Sequence, residues 1–143
     1  MSSLFRSLLF TIATLVLLAS TSHARAQVLI IANNGVGASY ISLSDLHDVF
    51  TGSASSIKGG GQVSPVLLKS GSAHEAFLDK YVGKSDAAFR AQWRSLLFSG
   101  QSTMPRTFDS DAEVVEYVAH TPGAVGYIAS SSPHTGVKTL AVR

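Results

Sequence analysis

SDAEVVEYVAHTPGAVGYI, residues 110–128, reads as a helix feeding into a strand. Ser110 and Glu113 have the spacing of a capping box, which satisfies the free amides at a helix start. Val114, Val115 and Val118 then fall on one side of a 3.6-residue period and face inward. Pro122-Gly123 stops the helix, because proline cannot continue it and glycine turns the chain at positive φ. Ala124–Ile128 (AVGYI) is a short apolar run of strand-forming residues. A helix followed at once by a buried strand is the unit from which α/β sheets are built.

Moving outward, the same alternation recurs. Ser85 precedes a helix in which Phe89, Trp93, Leu96 and Leu97 stand at i, i+4, i+7 and i+8, one buried face. Ser72 and Glu75 form another capping box, opening a helix from about Ala73 to Tyr81 with Ala73, Phe77 and Tyr81 inward and Gly83 as its stop. A shorter helix runs from about Asp45 to Phe50, with Ser44 as N-cap, Leu46, Val49 and Phe50 as its apolar face, and Gly52 ending it. Val28–Ala32 (VLIIA), Gln62–Lys69 and Val137–Val142 are the other strands. In the middle one Val63, Val66 and Leu68 are the buried positions, and Pro65 makes its early part edge-like or irregular. The expectation is one α/β domain: a mixed sheet of about four strands flanked by about four helices.

The N-terminus is of another kind. Arg6, the uncharged run Leu8–Ala19 and Ala24-Arg25-Ala26 are the three parts of a cleaved signal peptide over residues 1–26. The run is about 12 residues against about 20 for a spanning helix, so no membrane span is expected to remain after cleavage. Residues 27–143 then form the mature domain, periplasmic or secreted. There is no cysteine, so disulfides play no part. Of eleven Lys and Arg, Arg6 and Arg25 leave with the leader; the remaining nine face nine Asp and Glu. A mature chain with no net charge has no basic footprint for nucleic acid. Any selectivity for anions must come from local geometry.

Few patterns suggest chemistry. His47, His74, His120 and His134 are far apart, without metal-ligand spacing, and each reads as a surface or helix-end residue. There is no G-x-S-x-G elbow. Asp109 and Asp111 fit a turn and a first helical turn. Gly35-Val36-Gly37 runs into Tyr40-Ile41 instead of a helix, as a plain turn does. Nothing asks for a cofactor or a metal. One stretch remains: Lys69-Ser70-Gly71-Ser72-Ala73-His74, where a strand ends and a helix begins. Open amides at a helix start, two hydroxyls, a glycine allowing close approach and one ammonium together suit an oxyanion. The plainer alternative is that Ser72 only caps the helix and Lys69 is solvated.

LSDLHDVFTG (43–52), PVLLK (65–69), Phe77, Trp93, FSG (98–100), Pro105 and VAHTPGAVGYI (118–128) occur in a telling order. With them the chain resembles the substrate-binding protein of phosphate ABC transporters, a type II periplasmic binding protein. The resemblance covers about Val28 to Ile128. Full-length members are more than twice this long and clamp phosphate between two lobes, so the resemblance implies one lobe. The family's loop reads D-G-S-G-T, with threonine four residues before the helix phenylalanine. Counting back from Phe77 puts Ala73 at that threonine; matching Ser70-Gly71-Ser72 to S-G-T requires a shift of one residue. The family's buried arginine and aspartate ligands have no assigned counterpart.

The resemblance implies non-catalytic binding of a small oxyanion such as phosphate at Lys69, Ser70, Gly71, Ser72 and Ala73. It implies a membrane permease or another periplasmic protein as partner and no enzymatic activity, while the balanced charge speaks against nucleic acid. The alternative is a secreted interaction or sensory domain that kept the fold and lost the ligand. Export has a direct check: N-terminal sequencing of the secreted protein should begin within a few residues of Gln27, and a soluble cytoplasmic product retaining Met1 would overturn it.

Overall fold

The run VLIIA forms β1 (Val28–Ala32), which pairs antiparallel on one side with β7 (Ala124–Ala129) and on the other with β8 (Lys138–Val142). These belong to a computed structural model that describes residues 27–143; the expected signal peptide, 1–26, lies outside the described residues. β2 (Tyr40–Ile41) adds to β8 in parallel. On the far side of β7, β5 (Ser64–Leu68) and then β6 (Arg106–Phe108) add in parallel. The result is a six-stranded mixed sheet in the order β2-β8-β1-β7-β5-β6. A small hairpin, β3 (Ser56–Ile57) with β4 (Gly61–Gln62), stands apart.

The strands expected at 28–32, 124–128 and 137–142 are present. The one expected over Gln62–Lys69 divides at Val63, whose amide turns to the Ser55 carbonyl (2.9 Å) while Ser64 begins the sheet. The extra strands are two to three residues long, too short to show a period.

Helices cover both faces of the sheet, and β7 shows how. Successive side chains on a strand point to opposite faces. Tyr127 turns to α1 (Leu43–Phe50) and α2 (Ser72–Phe77), stacking on Phe77 with ring centroids 3.9 Å apart and meeting Phe50 edge-on at 5.8 Å. Gly126 turns to α4 (Asp111–His120): a Cβ there would lie 3.0 Å from Val114 Cγ1 and 3.6 Å from Val118 Cγ2. The missing side chain at 126 lets the valine face of α4 lie close on the sheet. Asn33, just past β1, caps the far end of α4 by donating to the Val118 and Ala119 carbonyls (2.9 and 3.2 Å).

Several local expectations need correction. The cap of α1 is Ser42, whose hydroxyl accepts from Asp45 N, and Ser44 lies inside the helix. The helix expected over 73–81 is α2 continued by a π-helical turn, Leu78–Val82, that ends in left-handed Gly83. The Ser110 box is skewed: Ser110 Oγ accepts from Glu113 N, but the glutamate returns to Asp109 N, one residue before the cap. In α3 (Asp86–Phe98), capped by Ser85 as expected, Phe89 and Trp93 are buried and Leu96 is partly so, but Leu97 is exposed. That helix meets the body along a stripe too narrow for both leucines.

Trp93 anchors α3. Its indole Nε1 donates to the Phe50 carbonyl at 3.0 Å, and its ring packs on Gly52. Gly52 sits at φ +83, and a Cβ on it would lie 2.3 Å from Leu96 Cδ1, so it satisfies a backbone and a packing demand together. Trp93→Ala should cost about 3–5 kcal/mol in urea denaturation, and Leu97→Ala less than about 0.5 kcal/mol. A loss below about 1 kcal/mol at Trp93 would contradict this packing.

Candidate functional site

β5, β6 and β7 run parallel, so their carboxyl ends lie at one edge of the sheet. Ligands of open α/β sheets gather outside such ends. Residues 69–73 leave β5 there. Lys69, Ser70, Gly71 and Ser72 are exposed, and Ala73 is buried against the body.

Ser72 does not cap α2. The N-cap is Gly71 at φ +101, and no side chain hydrogen-bonds to the cap. Glycine reaches that dihedral without strain, so the helix begins one residue earlier than a serine cap would allow, and Ser72 becomes its first residue. Glu75 N bonds to the Gly71 carbonyl at 3.0 Å, while the amides of Ser72, Ala73 and His74 precede the first helical acceptor. Among the described residues the other three α-helices begin on a serine whose hydroxyl takes an amide: Ser42, Ser85 and Ser110. At α2 the hydroxyls of Ser70 and Ser72 are left for other use.

Behind the loop lies a chain of hydrogen bonds that the sequence did not disclose. His74, expected at the surface, is 2% exposed. Its Nδ1 lies 2.5 Å from the Tyr127 hydroxyl and its Nε2 lies 2.7 Å from Asp86 Oδ1. The Tyr127 oxygen accepts from Leu68 N at 3.1 Å. Arg90 Nε donates to both Asp86 oxygens (3.0 and 2.9 Å), and its Nη2 donates to the Lys69 carbonyl. A neutral imidazole protonated on Nε2 satisfies every member: Leu68 N–H to Tyr127, Tyr127 O–H to His74 Nδ1, His74 Nε2–H to Asp86. Burial pushes the Tyr127 phenol well above its ordinary pKa, so it stays a donor.

Both cations beside the loop are engaged. Arg90 is held as described, and Lys69 Nζ lies 3.5 Å from Asp109 Oδ1, a solvent-exposed pair of little energetic weight. Asp111 accepts from Ala129 N (3.0 Å) and Ser132 Oγ (2.5 Å), so the two aspartates serve different turns. Among the described residues no three His, Asp or Glu side chains gather as a metal set. A separate cleft of about 580 Å³ opens beside the start of β5, lined by Ser53, Ser64, Trp93, Met104, Arg106 and Tyr117 among others; it does not include the loop.

Comparison with solved structures relates this fold to binding proteins. A protein from Clostridium perfringens described as a phosphate ABC transporter substrate-binding protein, solved with bound phosphate, superposes with a TM-score of 0.62 at 17% identity, covering 82% of this chain and 45% of that one. An ABC-type phosphate transport receptor from Vibrio cholerae gives 0.60 at 15% identity, covering 82% and 46%. PstS from Borrelia burgdorferi gives 0.58 at 15%, covering 82% and 47%. The chain spans about half the length of these proteins and has the fold of one lobe of a periplasmic binding protein. No family model and no curated protein matches the sequence.

Asp86 gives the network a signature in acid. Partial burial pushes its carboxyl up, but hydrogen bonds from His74 and Arg90 and the Arg90 charge outweigh this, and its pKa falls below the ordinary value of 3.8. A carboxyl depressed in the folded state adds stability that is complete above its unfolded pKa and disappears as pH falls through the folded one. The stability gap between wild type and Asp86→Asn, measured by denaturation across pH, should therefore be full well above the unfolded carboxyl pKa of about 3.9 and narrow progressively as pH is lowered past it. A gap unchanged at low pH would show that Asp86 contributes nothing as an anion.

Proposed function

We propose that this domain binds a small oxyanion such as phosphate, without catalysis, at Lys69, Ser70, Gly71, Ser72 and Ala73. The observation that carries the proposal is the uncapped start of α2: glycine at the N-cap, open first-turn amides, and two exposed serines outside the carboxyl end of β5. An anion supplies the acceptors that a capping side chain supplies elsewhere. The likeness in fold to phosphate-binding proteins, one of them solved with phosphate bound, supports the same reading. On the charge, apolar run and Ala24-Arg25-Ala26 of the N-terminus we also propose residues 1–26 as a signal peptide and 27–143 as a mature domain in the periplasm or outside the cell, and on the likeness in fold a membrane permease or another periplasmic protein as partner. No helix among the described residues is long and apolar enough to cross a membrane.

A second reading has its own observation. With Lys69 near Asp109, Arg90 spent on Asp86, and Ala73 lacking a hydroxyl, the loop offers mostly neutral donors. A domain that kept the lobe for protein interaction or sensing would look similar.

Titration separates them. One lobe holds an anion on one side only, so a dissociation constant of about 10 μM to 1 mM is expected for phosphate by calorimetry, with the amide signals of residues 69–74 moving in NMR. Ser72→Ala is a clean probe, because Gly71 and not Ser72 is the cap; it and Ser70→Ala should each weaken binding about 3- to 10-fold. If millimolar phosphate and sulfate leave residues 69–74 unmoved, the oxyanion site does not exist and the interaction reading replaces it.

A further inference from the structure

We infer that Arg90 and Tyr127 are positioning residues for the Lys69–Ala73 loop: as the two ends of one hydrogen-bonded chain, they grip the exit of β5 and fix where the loop's donors point. The part of this inference that concerns affinity rests on the oxyanion reading; the part that concerns loop order does not.

The grip acts at three backbone groups of Leu68 and Lys69. Tyr127 takes the Leu68 N–H at 3.1 Å. The Phe108 carbonyl takes the Lys69 N–H at 2.9 Å. The Arg90 guanidinium donates to the Lys69 C=O. The chain therefore leaves the sheet with one peptide direction enforced, and at Gly71 it turns through φ +101 into the helix. The other end of the loop is tied to the same network, since His74 in the first turn of α2 joins Tyr127 to Asp86. Between the two anchors lie Ser70, Gly71 and Ser72, which are exposed, and Ala73, which is buried.

A Ser-Gly-Ser segment free at either end samples many conformations, and its donors converge on one point only when both ends are set. None of the four network side chains needs to touch a ligand to do this. Arg90 suits the task because one planar guanidinium serves two acceptors at once, Asp86 through Nε and Lys69 C=O through Nη2. Lysine carries the same charge but lacks the fork. Tyr127 suits it because a phenol can accept from Leu68 and donate to His74 at the same time.

The test compares wild type with Arg90→Met, Arg90→Lys and Tyr127→Phe by residue-resolved hydrogen exchange and phosphate titration. In each variant the amides of Leu68, Lys69 and Glu75, hydrogen-bonded at the two ends of the loop, should exchange at least about tenfold faster while those of β1 and β8 keep their protection. Phosphate affinity should fall about tenfold, with Arg90→Lys failing to rescue it. Exchange that rises equally at all amides would make these residues general stabilisers and overturn the inference. So would unchanged exchange at Leu68, Lys69 and Glu75, or an Arg90→Lys variant that behaves as wild type, since charge alone would then suffice. If Tyr127→Phe does not fold, the two Arg90 variants decide. If wild type binds no phosphate, the oxyanion reading fails, and the exchange results alone decide whether the loop is clamped.

Discussion

Tyr127 carries a hydroxyl into the apolar core, and the surrounding structure answers the demand that this creates. Its ring lies flat on Phe77 and edge-on to Phe50, so the oxygen cannot retreat to solvent. A buried hydroxyl without partners costs about 1–3 kcal/mol. Leu68 N–H and His74 meet that need, but a buried imidazole brings a second polar edge of its own. Asp86 takes that edge, its charge calls for Arg90, and Arg90 reaches the surface with a donor to spare for Lys69. Each polar group buried sets the condition for the next, and the series ends where β5 leaves the sheet. Four separate elements are held in register by it: β5, β7, α2 and α3.

How much of this could be read from the letters follows from the range of each interaction. The helix stops Gly52 and Gly83, the cap Ser85 and the valine face of α4 are local, and their patterns were plain. Edge strands β2 and β6 were missed because two or three residues cannot show alternation. Leu97 was assigned inward because a period gives a face but not its width. The serine caps at 44 and 72 went astray for a related reason. Several serines stood near each helix start, and backbone dihedrals, invisible in composition, chose among them. His74 was the deepest miss. Its partners lie 12 and 53 positions away, and no spacing rule joins a histidine to a tyrosine in a later strand.

The position of the candidate loop was legible, as a strand end followed by a helix start. Its character was not. The lysine that suggested charge is drawn toward Asp109, whereas the features that make the loop an open set of donors are a glycine dihedral and a cap that is absent. For a domain with balanced charge, local backbone geometry is what can discriminate for or against an anion.

The order of strands has a consequence for how the molecule comes into being. β1 pairs only with β7 and β8, whose residues lie about a hundred positions later in the chain. The first strand to emerge during synthesis thus has no partner until the last ones arrive. The sheet cannot close around its centre while the polypeptide is incomplete, and closing so long a loop adds to the entropic barrier. A narrow channel that admits only unfolded polypeptide would meet no finished domain to pull apart, and the final strand would act as the latch that commits the molecule to its native form.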